Sequence, residues 1–210
     1  MTLTIETYVL GPIENNTYLI IEPVSKTAAV VDPSAPSREI LERIRKNGFH
    51  LEYLLITHAH FDHIGGVKWF KHQFNDKPKS ILHSADLELW SNGGGSKYFG
   101  FDFDTGGQPD LLIEENQNIE LGNHCLSVLH TPGHTPGHVT FYSNENNAAF
   151  CGDLIFFHGV GRTDMHYSDE LGLVSSIKKK IFTLPDQTIL FPGHGPSTTV
   201  LEEKENNPFI

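Results

Sequence analysis

The amino-acid sequence predicts an α/β fold in which two β-sheets pack face to face and helices cover their outer faces, an αββα sandwich. Each half of the 210-residue chain opens with strand-like segments and continues with alternating helical and strand-like segments, the order expected for helices packed on sheets. No low-complexity linker or strong internal repeat divides the chain, and its length suits one large domain better than two small ones. We therefore expect a single domain over residues 1–210.

The first part of the chain predicts four strands and a helix. Apolar runs bounded by turn residues place strands at residues 3–9, 17–22, 27–31 and 51–57. The third run is continuously apolar, which indicates burial on both faces. Apolar residues at Ile40, Leu41 and Ile44 then recur at helical spacing, and Gly48 is the expected stop of this helix.

A dense group of metal-binding side-chain types follows the fourth strand. It reads His58-x-His60-x-Asp62-His63 and leads into a helical pattern at residues 64–74. Side chains alternate faces on an extended segment, so we expect His58, His60 and Asp62 to point one way and His63 another. Ligands presented in two directions suit two neighbouring metal ions. The alternative, a loop with incidental histidines in a chain that has 13, explains this tight grouping less well.

The second part of the chain predicts seven further strands and two helices. The strand-like segments are residues 80–83, 111–113, 118–121, 125–130, 139–142, 148–151 and 188–191. One short helix is expected at residues 86–90 and a longer one at about 169–182. The apolar set of the longer helix is Leu171, Leu173, Val174, Ile177 and Ile181.

A glycine-rich loop with several aromatic residues spans residues 91–109. Loops of this length in compact domains are usually functional or disordered. The aromatic content favours a loop that packs over the site. A surface excursion with its own small hydrophobic cluster is the alternative interpretation, and the residues alone do not choose between them.

Three later positions repeat one arrangement, in which a strand ends and the following loop offers a potential metal ligand. His134 lies between two Pro-Gly turns, Asp153 leaves a strand after a glycine, and His194 is flanked by two glycines that permit close backbone approach. For His130 and His138, at strand ends, we prefer structural roles with satisfied hydrogen bonds. The candidate metal ligands are therefore His58, His60, Asp62, His63, His134, Asp153 and His194.

Composition narrows the class of partner and the compartment. The formal net charge of −11 argues against a nucleic-acid partner, because phosphate binding needs a basic surface. No apolar run approaches the ~20 residues of a membrane helix, and the N-terminus lacks the pattern of a signal peptide. Two cysteines, Cys125 and Cys151, imply no disulfide framework, and Cys151 is expected to be a small buried apolar residue. We expect a cytoplasmic protein.

The ordered ligand set resembles the signature of the metallo-β-lactamase superfamily, in which Asp32 of Val31-Asp32-Pro33 would be a structural carboxylate. This resemblance implies an αββα sandwich of two mixed β-sheets. A narrower resemblance, to the short bacterial branch of glyoxalase II, is carried by residues 131–138, 161–164, 192–196 and 207–209. By this resemblance His58, His60 and His134 would hold one metal ion, and Asp62, His63 and His194 a second. Asp153 would bridge both.

The resemblance implies hydrolysis of a glutathione thioester such as S-D-lactoylglutathione by a metal-bridging hydroxide. Two divalent ions can activate water and stabilise the oxyanion, so no further catalytic residue is expected. Zinc is the first expectation, with iron or manganese as alternatives, since His and Asp ligands accept all three. Two other enzymes share the scaffold and stay open: a persulfide dioxygenase with one iron, and a lactonase. A metal-binding domain without turnover is disfavoured because all seven ligands are present.

One departure concerns how the substrate is held. The longer glyoxalase II enzymes carry a C-terminal helical domain with basic residues that grip glutathione, and this chain ends shortly after His194. Arg162 is then the candidate contact for substrate carboxylates, because arginine binds them in a fork geometry. The competing interpretation makes Arg162 an internal brace, paired with Asp164 or another acid.

Overall fold

The computed structural model describes residues 2–75 and 77–210, and within them two six-stranded sheets pack against each other. The first sheet contains β1 (Thr4–Leu10), β2 (Asn15–Glu22), β3 (Thr27–Val31), β4 (His50–Leu55), β5 (Lys79–His83) and β6 (Leu111–Ile113). The second contains β7 (Asn118–Leu121), β8 (His124–His130), β9 (Val139–Ser143), β10 (Ala148–Gly152), β13 (Ile189–Pro192) and β14 (Thr198–Thr199). A separate two-stranded sheet pairs β11 (Ile155–Phe156) with β12 (Gly159–Val160).

Both large sheets are mixed, as the resemblance implied. In the first, strands lie in sequence order; β1 to β3 are antiparallel and β3 to β6 parallel. In the second, the order is β14-β13-β10-β9-β8-β7, and only the β10–β13 pair among these strands is parallel. The predicted strands are all present within two residues at each end. Because parallel strands run the same way, their loops emerge at a common edge.

Apolar side chains divide into three buried groups that define four layers. Between the sheets lies a core that includes Tyr18, Ile20, Phe141 and Phe150. Leu19, the residue between Tyr18 and Ile20, instead points to the outer group that the first sheet shares with its helices. The outer group of the second sheet contains the fully buried Cys151, as expected. The αββα sandwich is thus confirmed, including burial of β3 on both faces.

Six α-helices lie among the described residues: α1 (Arg38–Asn47), α2 (Phe61–Ile64), α3 (Val67–Gln73), α4 (Leu87–Ser91), α5 (Glu170–Ser176) and α6 (Val200–Asn206). The side chain of Ser37 accepts a hydrogen bond from Ile40 N–H and begins α1. Gly48, in the left-handed conformation at φ 67°, ends it as predicted. Among the described residues, no helix is long and apolar enough to cross a bilayer.

The prediction of a single helix at residues 64–74 is wrong, because the helical conformation is interrupted between α2 and α3. Gly66 N–H donates to Pro33 O at 2.6 Å, which draws this break against the loop after β3. A Cβ atom on Gly65 would collide with Ser34 O, so close backbone approach requires glycine here. The interruption lets α2 start at Phe61, immediately within the candidate ligand turn.

The long helix predicted at 169–182 is also only partly correct. After α5 the chain continues as a π-helical segment, Ile177–Ile181. Leu173, Ile177 and Ile181 are buried as expected, but Leu171 is 82% exposed, so its assignment to the apolar face was wrong. The short strands β11, β12 and β14 were not predicted, because segments of two residues carry no readable periodicity. The seven-residue helix α6 was also not predicted.

The core between the sheets gives a first testable expectation. Phe141→Ala removes a fully buried ring from this core and should lower the free energy of unfolding by about 3–5 kcal/mol. The melting temperature should then fall by roughly 10 °C in a chain of this size. Leu171→Ala is the control, since that side chain is exposed, and it should leave the melting temperature almost unchanged. Equal effects of the two substitutions would contradict the assigned layers.

Candidate metal centre

The seven candidate ligands converge from four loops at one edge of the sandwich. His58 and His60 follow β4, Asp62 and His63 lie on α2, His134 follows β8, Asp153 follows β10, and His194 follows β13. Five of the seven are buried, whereas the side chains of Asp62 and His194 are 14% and 29% exposed. The structure therefore brings together every residue of the predicted ligand set.

The ligand atoms form two adjoining clusters. Within 4.8 Å of one another lie the atoms of His58, His60 and His134, and likewise those of Asp62, His63 and His194. The expectation that Asp62 would share the direction of His58 and His60 is wrong. Because Phe61 already starts α2, the alternation of an extended strand ends before Asp62. Asp62 and His63 therefore turn together toward the second cluster.

Asp153 lies between the two clusters. Its Oδ1 is 3.3 Å from Nε2 of His63, and its Oδ2 is 3.7 Å from Nε2 of His134 and 3.8 Å from Nε2 of His194. One carboxylate thus faces histidines of both clusters, one oxygen toward His63 and the other toward His134 and His194.

Hydrogen bonds fix the orientation of four of the imidazoles by holding the nitrogen that points away from the clusters. His60 Nε2 pairs with the hydroxyl of Tyr167 at 2.8 Å, and His134 Nδ1 donates to Arg162 O at 2.8 Å. His63 Nδ1 lies 2.9 Å from Asp32 Oδ2, the carboxylate expected to be structural. His58 Nδ1 is 3.1 Å from the hydroxyl of Thr57, which itself donates to Asp32. Such outer contacts are typical of metal-ligating histidines.

The electrostatics of the two clusters differ. Burial and the neighbouring imidazoles lower the pKa of His58 well below its ordinary value and that of His60 to about 3, so both rings are neutral at pH 7. Burial also disfavours the charged form of His63, but the carboxylates of Asp153, Asp62 and Asp32 outweigh it and raise the pKa of His63 well above 6.5. The imidazoles of His58 and His60 therefore carry no extra proton that a cation must displace, and His60 Nδ1 lies 2.9 Å from His134 Nε2. A cation in the second cluster would displace the proton of His63.

The donor set fits divalent metal ions. His58 Nε2 and Asp153 Oδ1, both buried, have no hydrogen-bond partner anywhere in residues 2–75 and 77–210. A buried polar atom without a partner is costly, and a cation would provide the missing contact. Imidazole nitrogens and carboxylate oxygens suit zinc, iron and manganese alike.

Asn15 is a residue of this centre that the sequence reasoning missed. Its side chain is fully buried, and Nδ2 lies 2.9 Å from His63 Nε2, 3.4 Å from His194 Nε2 and 3.5 Å from Asp62 Oδ2. A β-bridge between Asn15 and His194 fixes the backbone there. Asn15 follows a turn at the start of β2, far from the ligand motifs in sequence, so only its paired Asn15-Asn16 could have drawn attention.

Asp86 is a second missed residue, and it joins the two loops of the first cluster. Its buried carboxylate accepts hydrogen bonds from Ala59 N–H at 2.9 Å, Thr135 Oγ at 2.8 Å and Gly137 N–H at 2.6 Å. Burial raises the pKa of Asp86, and these hydrogen bonds partly oppose that rise. The carboxylate thereby ties the turn that carries His58 and His60 to the loop that carries His134.

The remaining histidines of the His134 loop lie outside both clusters, as expected. His130 stacks on His83 with ring centroids 4.1 Å apart, and its Nε2 donates to Pro136 O at 2.8 Å. His138 Nδ1 pairs with the hydroxyl of Thr131 at 2.9 Å. Its Nε2, however, has no hydrogen-bond partner in the described part of the chain, so the expectation of full satisfaction is wrong for His138.

The aromatic loop at residues 91–109 packs on the ligand turn. Gly94 O accepts a hydrogen bond from Phe61 N–H at 3.0 Å, and a Cβ atom on Gly94, at φ 61°, would lie 2.7 Å from Ala59 O. The ring of Phe61 contacts those of Phe99 and Phe101, with centroids 5.2 and 5.1 Å away. Of the two interpretations left open by the sequence, these contacts favour the loop that packs over the site.

Arg162 forms a bidentate salt bridge with Asp164, at 2.6 Å from Nε to Oδ1 and 2.7 Å from Nη2 to Oδ2. Both side chains are more than half exposed. This is the ion pair that the brace interpretation required, and the contact with substrate stays a prediction. The backbone of Arg162 has a separate role, since its carbonyl accepts from His134.

Comparison with known proteins identifies the family of this centre. A model of the metallo-beta-lactamase superfamily matches residues 10–194. The chain belongs to the metallo-beta-lactamase superfamily. It is 35% identical to the hydroxyacylglutathione hydrolase GloC of Haemophilus influenzae, with 88% of each chain covered. It is 36% identical to the probable metallo-hydrolase YqgX of Bacillus subtilis, with 96% of this chain and 94% of that one covered.

Other similar proteins carry different activities or metals. The human mitochondrial persulfide dioxygenase ETHE1 is 33% identical, over 96% of this chain and 70% of its own length. The crystal structure of BLEG-1 B3 metallo-beta-lactamase matches with a TM-score of 0.91 at 33% identity, covering 98% of this chain and 99% of that one. The crystal structure of TTHA1623 in a di-iron-bound form matches with a TM-score of 0.85 at 34% identity, and the match covers 98% of this chain and 100% of that one.

The contacts of Asp86 give the second expectation. Asp86→Ala leaves three buried donors without an acceptor, each at a cost of about 1–3 kcal/mol, so stability should fall by at least ~3 kcal/mol. For a chain of this size, the melting temperature should drop by about 6–12 °C. Asp104→Ala is the control, because Asp104 forms an exposed ion pair with Lys68, and it should change little. Equal melting curves would rule out Asp86 as the link between the loops.

Proposed function

We propose that this chain is a binuclear metallohydrolase of thioesters, with the acyl group carried on a glutathione-like thiol. The observation that carries the proposal is the position of Asp153, which faces both clusters and whose Oδ1 has no hydrogen-bond partner among the described residues. A single ion would leave the three side chains of one cluster without a bound cation. The relationship to a hydroxyacylglutathione hydrolase supports the thioester as the substrate class.

Residues of this chain would hold and orient the reacting groups. His58, His60 and His134 would hold one ion, Asp62, His63 and His194 the other, and Asp153 both. When bound, the two divalent ions supply an activated water and polarise the substrate carbonyl. Asp32, Tyr167 and the Arg162 carbonyl keep three of the imidazoles in their orientation by binding the distal nitrogen. A thiolate is a good leaving group and needs little help from an acid.

Neither cysteine has the character of a nucleophile. Cys151 is fully buried, and burial raises the pKa of its thiol. Burial and the nearby carboxylates of Glu120 and Glu145 raise the pKa of Cys125. A thiol with a raised pKa carries little thiolate at pH 7, which supports direct attack by water rather than a covalent acyl-cysteine.

A persulfide dioxygenase activity is the second candidate, supported by the relationship to ETHE1. By the resemblance discussed above, that branch uses one iron. The two candidates therefore differ in metal stoichiometry as well as in substrate. Zinc remains the first expectation for the metal, and the di-iron form of TTHA1623 supports iron as the alternative. A cytoplasmic location stays a prediction from the sequence.

One experiment separates the candidates. Protein purified without added metal is analysed for metal content and assayed on S-D-lactoylglutathione, on glutathione persulfide with oxygen, and on a simple lactone. We expect two metal ions per chain and thioester hydrolysis without oxygen consumption. One iron per chain together with oxygen consumption on the persulfide would replace the proposal by the dioxygenase.

The third expectation concerns the effect of removing one candidate ligand from the second cluster. Asp62→Ala should lower the metal content from two ions to about one, because His58, His60 and His134 remain intact. Native mass spectrometry measures the stoichiometry directly. His130→Ala is the control, as that histidine lies outside both clusters, and it should retain both ions. Loss of both ions in Asp62→Ala, with the fold intact by circular dichroism, would contradict two separable sites.

The fourth expectation concerns Arg162, which we still propose as the residue that binds the carboxylates of the substrate. Arg162→Ala should raise KM for S-D-lactoylglutathione about tenfold, with little change in kcat or metal content. Asp164→Ala is the matched control, because it removes the partner of the same salt bridge and leaves the guanidinium free.

The two interpretations of Arg162 differ in how this pair of variants compares. If the salt bridge only braces the loop, both substitutions should lower kcat and the melting temperature alike. If Arg162 binds substrate, only Arg162→Ala should raise KM. An unchanged KM in Arg162→Ala would show that the guanidinium does not contact the substrate.

A further inference from the structure

A small apolar cavity adjoins the second cluster, and the proposed metal binding and the proposed contact of Arg162 with substrate leave it empty. Its volume is about 190 Å³. Its apolar walls come from the end of β1 and the turn after it, and from the aromatic side chains on α2 and the 91–109 loop, namely Leu10, Pro12, Ile13, Phe61, Phe101 and Phe103. We call it the apolar cavity.

The apolar cavity reaches the metal centre through two of its lining residues. Asp62 is a candidate ligand, and Asn15 lies 2.9 Å from His63 Nε2 through its own Nδ2. A group bound in the cavity would therefore lie beside the second cluster. A carbonyl compound held at the centre would then extend one substituent into it.

Contacts with the ligand turn and with the first sheet support the aromatic side of the apolar cavity, although Phe101 itself is 43% exposed. The ring of Phe101 stands edge-on to that of Phe61, with centroids 5.1 Å apart and planes at 87°. Phe61 N–H donates to Gly94 O, which holds the loop to the ligand turn. Phe103 packs on the buried group beneath the helices of the first sheet.

A second, larger cavity adjoins the first cluster and has a different character. It measures about 350 Å³ and is lined in part by Lys97, His166 and Tyr167, whose hydroxyl bonds to His60. A thioester has two arms, an acyl group and a thiol carrier. The larger cavity offers charge and hydrogen bonds for a polar carrier, whereas the apolar cavity is below the ~300 Å³ at which sites for larger ligands begin.

We propose that the apolar cavity binds the acyl arm and that it selects short apolar acyl groups over acyl groups that carry a hydroxyl on the third carbon. The inference rests on the proposed thioesterase function and specifies its substrate class. Each methylene buried among Phe61, Phe101 and Phe103 should raise kcat/KM about fourfold, until the cavity is full. The cavity lining also includes the polar side chains of Asn15, Ser34 and Asp62. The three rings offer no hydrogen-bond partner, so a hydroxyl directed at them would lose its hydrogen bonds to water.

The test compares glutathione thioesters that differ only in the acyl group: acetyl, propionyl, butyryl and 3-hydroxybutyryl. For the metal-loaded wild type, kcat/KM should rise about 16-fold from acetyl to butyryl. The kcat/KM for the 3-hydroxybutyryl thioester should be about tenfold lower than that for the butyryl thioester. A flat series with measurable turnover of every substrate would overturn the inference while leaving the thioesterase function standing.

Two substitutions on the same loop provide a matched pair. Phe101→Ala opens the wall of the apolar cavity and should reduce the butyryl-to-acetyl ratio to fourfold or less. Phe99→Ala removes the same type of ring, in similar contact with Phe61, but Phe99 does not line this cavity, so the ratio should persist. An equal fall of the butyryl-to-acetyl ratio in both variants would show that the two rings act only by positioning Phe61. That result would overturn the inference.

A measurement without turnover keeps the two proposals distinct. Sodium acetate and sodium butyrate are titrated into the metal-loaded protein while the backbone amide signals of Phe101 and Phe103 are followed by NMR. Butyrate should shift them at concentrations at least tenfold lower than acetate, and this preference should weaken in Phe101→Ala. Absence of thioester turnover with this preference intact would defeat the proposed function alone. Equal binding of the two carboxylates would defeat the cavity assignment.

Discussion

The carboxylate of Asp153 is the constraint around which this site is arranged. It lies between histidines of two clusters, nearly buried, and one of its oxygens has no hydrogen-bond partner among the described residues. Burial opposes the charged form of this group, yet the His63 imidazole and its neighbours lower the pKa of Asp153 far below its usual range. Charges and lone pairs held this close are stable only if something positive lies between them, whether protons or metal cations.

The fold meets this constraint by supporting the ligands from behind. Asp32, at the end of β3, binds both Thr57 and His63, so one buried carboxylate fixes the first turn of the site. Asp86 does the same for the loop of His134 through Thr135 and Gly137. Rigid outer contacts of this kind set the positions of ligands more closely than the ligand loops could alone.

The sequence by itself predicted the sandwich and all seven candidate ligands that the structure brings together. Alternating and continuous apolar runs have a direct physical reading, because a strand or helix must bury its apolar face. His58-x-His60-x-Asp62-His63 is informative because its members are neighbours in the chain. His134, Asp153 and His194 could be found because each follows a strand, and loops after strands of packed sheets meet at an edge.

Only the tertiary structure decided the residues whose role depends on contacts between distant segments. Asn15 enters the second cluster through a β-bridge to His194, and Asp86 joins Ala59 to Thr135 and Gly137, in loops that are more than 70 residues apart. The break at Gly65 and Gly66 depends on the backbone of the loop after β3, so helical periodicity continued past it. Sequence patterns report local burial, whereas long-range hydrogen bonds and close backbone approach arise only once the sheets and loops have packed.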